Sequence, residues 1–439
     1  MDGIRLHDAF IPQGCAGAVP PAPAVSVQTG ARWIAVYNAV TTAAGRYVQG
    51  GGCATVGVAG LVLGNGFGSF SKAYGSAASS LLEAEIVTAD GVVRIANPCS
   101  YPDLFWALKG GGNGSYGVVT RLTLRTHALP VFFGGVRGSI KASSDSAFRR
   151  LIAEFNAFYA SSLFNPHWGE QASFGDDNVL RLSLVFQDFT ESQVNAALQP
   201  FLNFISASPA EFTISDPIRI TGVPARHWWD PNYLTTRLPQ RIMHDPRPGP
   251  PPDNIWWAGN ESEVGFFIHG YESVWLPASL LIEPDRTRFN DALFTASRHW
   301  PVTLHYNKGL AGASSEVIAA ARQTAMNPAV GDAFCLAIIG NAGPPAYPGM
   351  PGPGPDLALA RRNAATIKQS ADVLRALVPD AGSYVSEAGF DDPDWQKHSF
   401  GENYPRLLAV KRRYDPEGLF TTHHGVGSEW WSRDGFTPT

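Results

Sequence analysis

The chain has 439 residues, 44% of them hydrophobic, with 33 Lys and Arg against 38 Asp and Glu for a formal charge of -5. That length exceeds what one compact core usually holds, so two domains, or one domain with a large cap, are expected. The acidic balance and the lack of any sustained Lys/Arg run exclude an electrostatic footprint for nucleic acid, and no apolar stretch approaches the roughly 20 residues that span a bilayer. A small molecule is the expected partner. The opening Met1-Asp2-Gly3-Ile4-Arg5 lacks the basic-then-apolar pattern of a secretion signal, which leaves the compartment open. Cys15, Cys53, Cys99 and Cys335 show no CxxC spacing, which argues against a zinc site or a disulfide framework.

In chain order, residues 3–30 hold Pro12, Pro20, Pro21 and Pro23 ahead of the alternating Val25-Ser26-Val27-Gln28, a loop feeding a strand. Over residues 31–42 the apolar positions Trp33, Ile34, Tyr37 and Val40 recur at helical spacing, with Gly45 as the stop. The Gly-dense stretch 50–68 leads into a strand over 80–88, an Asp90-Gly91 turn and a second strand over 92–95. A short helix over 103–108 precedes a second glycine cluster at 110–114, and a strand over 118–126 closes the region.

From 131 to 389 the texture changes to strands alternating with longer helices, as for a sheet covered on one face. A helix over 145–161 carries Phe148, Leu151, Ile152, Phe155 and Tyr159 on one stripe, and a strand over 179–187 alternates Leu180, Leu182, Leu184 and Phe186 with Arg181 and Ser183. Thr190 and Gln193 form a capping box for the next helix. Further strands are expected at 264–268, 302–307, 334–339 and 383–387, with a helix over 357–377 and proline-rich loops at 245–252 and 344–355. A last helix over 404–414 ends at Asp415-Pro416-Glu417-Gly418.

Glycines let backbone N–H groups approach a phosphate or a flat ring, and a structural turn accounts for the same residues equally well. The order of motifs is more informative. The run Gly50-Gly51-Gly52-Cys53-Ala54-Thr55-Val56-Gly57-Val58-Ala59-Gly60, then Gly64-Asn65-Gly66-Phe67-Gly68, then Val87-Thr88-Ala89-Asp90-Gly91, Asp103-Leu104-Phe105-Trp106-Ala107-Leu108 and Gly110-Gly111-Gly112 follow one another closely. This series, from about Val25 to Pro130, resembles the second flavin-binding subdomain of the vanillyl-alcohol oxidase superfamily, most densely its berberine bridge enzyme-like branch. Near the other end, Asn403-Tyr404-Pro405-Arg406-Leu407-Leu408-Ala409-Val410-Lys411, Tyr414-Asp415-Pro416 and Leu419-Phe420 resemble the carboxy-terminal signature of the same branch.

The resemblance implies an α+β, two-domain flavoprotein. Residues 1–130 and 390–439 would form a split FAD-binding domain around an inserted antiparallel-sheet substrate domain, 131–389, covered by helices. It also implies oxidation of an alcohol or saccharide by hydride transfer to FAD, with O2 or another acceptor; the cofactor would supply the hard chemistry and the protein the orientation. The implied cofactor set is Gly51, Gly52, Cys53, Thr55, Val56, Gly57, Gly60, Gly64, Gly66, Gly68, Ile86, Asn403 and Tyr404. Cys53 stands where many family members join a cysteine sulfur to the isoalloxazine ring; a small buried thiol is the plainer alternative. Cys15, Cys99 and Cys335 match nothing in the family. Asn65 replaces a glycine common in the motif.

Catalytic candidates come from two segments. On the 302–307 strand, Thr303, His305 and Asn307 share a face, so His305 is a candidate base and Asn307 a substrate-orienting group, unless that face is simply solvated. Tyr384 and Glu387 lie near where relatives place polar residues beside the flavin, and a carboxylate in a partly apolar pocket suits proton transfer; a surface carboxylate is the plainer reading. His423 and His424 fall near the cofactor without metal-ligand spacing. The pairs Trp228-Trp229, Trp256-Trp257 and Trp430-Trp431 either line a sugar- or aryl-binding cleft or belong to the core. Relatives carry a first flavin subdomain ahead of the region where this chain starts, with a Gly-Gly-His loop that this sequence lacks. Weak FAD binding by the chain alone, or a catalytically silent chain, is therefore the alternative expectation, and export is expected only by analogy with relatives. A nicotinamide-binding fold fits poorly, because Gly64-Asn65-Gly66-Phe67-Gly68 does not join a first strand to a helix.

Overall fold

Two antiparallel sheets carry the chain in a computed structural model that describes residues 3–246, 248–250, 254–263, 266–346, 354–432 and 437–439. The first sheet contains β1 (Ile4–Phe10), β2 (Ala22–Gln28), β3 (Arg46–Val48), β4 (Leu81–Val87), β5 (Val93–Ala96) and β6 (Val118–Ala128). Their order is β1-β2-β6-β4-β5, with β3 paired to the far end of β6. β6 is central because its alternation supplies Leu122 and Leu124 to the core, opposite Val27 and Val25 of β2.

Residues 3–30 therefore contain an edge strand, β1, where only a loop was expected. β1 pairs with β2 alone and is partly or fully exposed along its length, so no buried face imposed a period of two on its sequence. The loop after β1 is tied to the turn after β5 by a Cys15–Cys99 disulfide, with Cα atoms 5.6 Å apart. This corrects the expectation of no disulfide: the two cysteines are 84 residues apart, and their pairing is a product of the sheet rather than of local spacing.

The second sheet contains β7 (Phe132–Ala142), β8 (Trp168–Phe174), β9 (Val179–Gln187) and β10 (Phe212–Pro224). After a two-stranded ribbon, β11 (Ile242–His244) and β12 (Ile255–Trp257), it is completed by β13 (Phe267–Pro277), β14 (Val302–His305) and β15 (Ala333–Gly343). The order is β10-β7-β9-β8-β14-β15-β13, antiparallel throughout. Helices Asp145–Phe158, Glu191–Ala207, Asp285–His299 and Leu357–Leu377 cover one face, as the texture of the sequence predicts. Phe148, Leu151, Ile152 and Phe155 of the first helix pack there with Phe174, Leu180 and Phe201, each side chain contributing about 1.5–3 kcal/mol by leaving water. The Ser144 hydroxyl caps that helix, and both arms of the Thr190–Gln193 capping box are formed.

Several boundaries move. The helix over 31–42 is an α-helical turn, Trp33–Tyr37, that widens into a π-helix, Asn38–Ala43. β14 ends at His305, so Asn307 leaves the strand. Of the strand expected at 264–268, Val264 and Gly265 lie outside the described residues, and β13 begins at Phe267. The strand expected at 383–387 is instead a short extended piece followed by a 3-10 turn, Val385–Glu387. It touches β13 through Trp275 N–H to Gly382 O and Ser383 Oγ to Ser273 O, too few bonds to continue a ladder.

One junction between the two halves is built around Lys72. Lys72, fully buried in the first half, donates to the carbonyls of Tyr306 at the end of β14 and Phe334 at the start of β15. Gly169 of β8 lies so close to Ser69 that a Cβ would stand 1.7 Å from its carbonyl oxygen, which permits only glycine there. After the second sheet the chain returns to the first. Helix Tyr404–Tyr414 docks through Tyr414 Oη and Arg413 to Asp103, at 2.9 and 2.8 Å.

Replacing Cys15 or Cys99 with Ser reopens the loop of 84 residues and is expected to lower stability by about 2–4 kcal/mol. The change appears as a lower midpoint in equilibrium urea unfolding; an unchanged midpoint removes the bridge from the stability of the first sheet.

Candidate functional site

The glycine-rich loop after β3 lies on the start of the Trp33–Tyr37 helix, where Ile34 and Trp33 N–H groups donate to Ala54 O and Val56 O at 2.9 and 3.0 Å. Tyr37 Oη donates to Gly51 O at 2.6 Å from below. The glycines of this stretch fall into two groups. At Gly50, Gly66 and Gly68 a Cβ would stand 2.4 Å from the Trp33 ring, 2.7 Å from Leu61 O and 2.5 Å from Gly50 O, so internal packing demands glycine, while at Gly51 and Gly64 it would press on the ends of the Leu61 and Ser386 side chains at 2.5 and 2.3 Å. At Gly57 and Gly60 nothing lies within 4 Å, and at Gly52 only Glu170 Oε1 does, at 3.9 Å. These three are exposed, and Gly57 has φ -69 and ψ 139, open to any residue. An open strip with no internal need for glycine fits a flat ring or phosphate chain laid against the backbone, so the residues present suit FAD.

Cys53 borders that strip, partly exposed and outside any disulfide. The Tyr37 phenol is pushed well above its ordinary range, chiefly by burial and secondarily by Cys53. Thr55 is half-buried and Val56 exposed on the same rim. Asn65 has φ 86, which explains why it occupies a position where glycine is usual: Asn tolerates the left-handed region better than other side chains. Ile86, in contrast, is fully buried beneath Gly117. Asn403 Nδ2 donates to Met326 O at 2.7 Å, and Tyr404 Oη donates to Glu429 at 2.6 Å, so both brace the C-terminal return.

The uncovered face of the second sheet floors a cavity of about 570 Å³. Gln171 and Ser173 of β8, Ser183 of β9, Thr303 and His305 of β14 and Tyr271 of β13 line it. Arg181 also reaches it but is paired with Asp177 at 2.5 Å. The His305 imidazole makes no hydrogen bond to the described residues, and burial, then Lys308, pushes its proton affinity well below the ordinary imidazole value. It stands at the wall of a polar cavity.

Lys308 gathers the candidates. Its ammonium bonds both Glu387 carboxylate oxygens at 2.6 Å and lies 6.0 Å from the Tyr384 ring centre. Tyr384 is buried, bonded to the Ser386 side chain and the Gly66 main chain, and its phenol is raised by burial and then by Glu387. Glu387 is thus an ion-paired carboxylate rather than a lone acid in an apolar pocket. Asn307 stands apart from the cavity: its Nδ2 reaches Gly68 O at 3.4 Å across the junction, and its buried Oδ1 has no partner among the described residues. His423 and His424 stack on each other at 3.9 Å, with His423 bonded to Phe390 O, and no His/Cys/Asp/Glu group suited to a metal exists among the described residues.

The tryptophan pairs do not line the cavity. Trp229 stacks on Tyr37 at 4.5 Å and meets Trp257, which meets Trp228, forming core beneath the glycine loop. Trp430 lies under Arg412. The tryptophan that does reach the cavity is the unpaired Trp300. Sequence reasoning also missed Lys308, Gln171 and Ser173; the only available signal was the polar alternation along β8, which a solvated strand shows equally.

Two family models match: "FAD binding domain" over residues 20–97 and "Berberine and berberine like" over residues 383–427. The VAO-type flavoprotein oxidase VAO615 of Thermothelomyces thermophilus is 28% identical over 415 residues, covering 94% of this chain and 65% of the relative. The chain is thus similar to the VAO-type, berberine-like FAD-linked oxidoreductases. The FAD-linked oxidoreductase easE of Aspergillus fumigatus is 30% identical over 452 residues, covering 99% of this chain and 64% of its own length. This berberine-like chain thus spans about two thirds of the length of these relatives. Among solved structures, VAO-type flavoprotein MtVAO615 from Myceliophthora thermophila C1 superposes with a TM-score of 0.75 at 24% identity, covering 98% of this chain and 71% of that one. A glucooligosaccharide oxidase from Acremonium strictum gives 0.66 at 20%, covering 97% and 79%. Both show the same two-domain flavoprotein fold.

The two groups of glycines separate experimentally. Gly66→Ala, at φ 62 and against Leu61, is expected to cost about 1–3 kcal/mol in urea unfolding, whereas Gly57→Ala is neutral or stabilising by up to about 1 kcal/mol. Gly57→Leu should leave the unfolding midpoint in place and weaken FAD uptake in a fluorescence titration. Native uptake by that variant takes the strip out of the flavin site.

Proposed function

We propose that this chain carries the substrate-binding face and one wall of the flavin site of an oxidase acting on an uncharged, hydroxyl-bearing small molecule, an alcohol or saccharide. The observation that carries this reading is His305: a neutral imidazole, unengaged by the described residues, on the floor of a polar cavity beside the flavin-loop junction. Bound FAD supplies the two-electron acceptor for a hydride from the substrate carbon. His305 takes the hydroxyl proton, and Gln171, Ser173, Ser183 and Thr303 orient the substrate by hydrogen bonds. The pairing of Arg181 with Asp177 leaves that side chain a poor anchor for a carboxylate substrate. Tyr384, held by Ser386, Gly66 and its neighbour Lys308, packs against the glycine loop rather than lining the cavity.

The relatives support both substrate class and acceptor. VAO615 is named a flavoprotein oxidase, and solved neighbours are a chitooligosaccharide oxidase, the Acremonium strictum glucooligosaccharide oxidase and a carbohydrate oxidase from Microdochium nivale. Dioxygen is accordingly the proposed acceptor. One structure of the Acremonium enzyme is described as bearing a 6-S-cysteinyl, 8α-N1-histidyl FAD, which supports Cys53 as the sulfur link in this chain. The Cys15–Cys99 disulfide suits an oxidising compartment and hence export.

Flavin retained by the chain through acid precipitation, and released by Cys53→Ala, is the first expected result; a chain that takes up no flavin removes the reading. In the flavin-loaded protein, His305→Ala is expected to lower kcat by about 10²–10⁴-fold. Because the imidazole is held neutral, the acid limb of the native kcat/KM profile should fall below the usual imidazole value of about 6.5. Native turnover by His305→Ala, or an acid limb above that value, assigns the base elsewhere.

A further inference from the structure

β8 contains one residue that breaks its own rule. Trp168, Ala172 and Phe174 point into the helix-covered core, and by alternation Glu170 belongs with them, opposite buried Leu184 of β9. Instead Glu170 has φ 60, a left-handed conformation that is strained for a non-glycine residue, and no turn here requires it. Its backbone remains in register, with Tyr306 N–H donating to Glu170 O at 2.7 Å. The side chain has left the core face and turned to the other domain. Oε1 accepts from Ser69 Oγ at 2.5 Å and lies 3.9 Å from where a Cβ on Gly52 would stand. A glycine would adopt this backbone freely; the chain keeps a carboxylate there and aims it at the residue next to Cys53.

We propose that Glu170 is a positioning residue for Cys53: its carboxylate, anchored by Ser69 against Gly52, holds the neighbouring thiol protonated. The function assigned to it rests on the proposed reading of Cys53 as the flavin-linking sulfur. A protonated thiol is a weak nucleophile and resists adventitious oxidation, so the residue would keep Cys53 intact until a cofactor lies over the open strip. The titratable groups facing this pair include the Arg137 guanidinium on β7, itself beside Arg241, the buried, neutral Tyr47 phenol toward Glu170, and the Tyr37 phenol toward Cys53.

Cys53 is its own reporter. Cys15 and Cys99 are joined and Cys335 is fully buried, so Cys53 is the thiol open to alkylation in the folded chain. In the native chain, the pH midpoint for alkylation by iodoacetamide is expected above the ordinary cysteine value of about 8.5. Anionic iodoacetate is expected to be disfavoured against iodoacetamide by about three- to fivefold relative to free cysteine, the size of one unit charge a few ångströms away in water. The bias should shrink in molar salt. Glu170→Gln is expected to lower the midpoint and bring the reagent ratio to that of free cysteine. Glu170→Gly, which suits the positive φ, keeps the fold and should do the same. A native midpoint and ratio in either variant overturns the proposal. Flavin retention after acid precipitation reports on the reading of Cys53 and thiol titration on Glu170, so the two fail separately.

Discussion

A single ammonium group sets the geometry of the molecule. Lys72 leaves the flavin-loop half and ends, wholly buried, on the carbonyls of Tyr306 and Phe334 at the edges of β14 and β15. Burial pulls its pKa down to about 8, the consequence of placing a cation where no carboxylate pairs with it among the described residues. Those carbonyls close the ends of two sheet strands and would otherwise be costly orphans. The position of His305, one residue before Tyr306, relative to the loop that carries Cys53 is therefore fixed through a few covalent bonds and one hydrogen-bonded lysine. Gly169 and Ser69 press the same junction together from β8.

A second buried lysine performs the matching task at the C-terminal end. Lys411 donates to Ser115 O, beside the second glycine cluster, and to Phe420 O, while paired with fully buried Asp415. Asp415 in turn accepts from the N–H groups of Leu419 and Phe420 at 2.8 Å. The Asp-Pro turn that ends the last helix is thus also the lock that seats it. Removing either partner would leave an uncompensated buried charge, which costs far more than an exposed pair contributes.

The sequence made legible those features in which local chemistry and global fold agree. The Thr190 capping box, the aromatic stripe of the helix starting at Asp145 and the two ordered motif series all belong to this class. β1 was illegible because an edge strand with both faces partly exposed carries no period, and Cys15–Cys99 because pairing across 84 residues leaves no local trace. Of the candidates, Thr303 and His305, placed on one face by alternation along β14, do line the cavity, whereas Tyr384 and Glu387, suggested by resemblance to relatives, lie beside Lys308 and off its lining. Lys308, which ties these two segments together, sits just past a strand end and has no pattern of its own. The tryptophan pairs misled because aromatic doublets serve a core and a cleft equally well, and only their stacking on Tyr37 distinguishes the two.

The second sheet also sorts its residues by parity. On β8, β9 and β14 the cavity floor is odd-numbered (171, 173, 181, 183, 303, 305), and the core beneath is even-numbered (172, 174, 180, 182, 302, 304). Cavity lining and core are thereby written on separate sides of the same strands. The floor can be retiled while the foundation stays untouched, whereas a one-residue slip of register would exchange them wholesale. Glu170 is the even-numbered residue that changed sides.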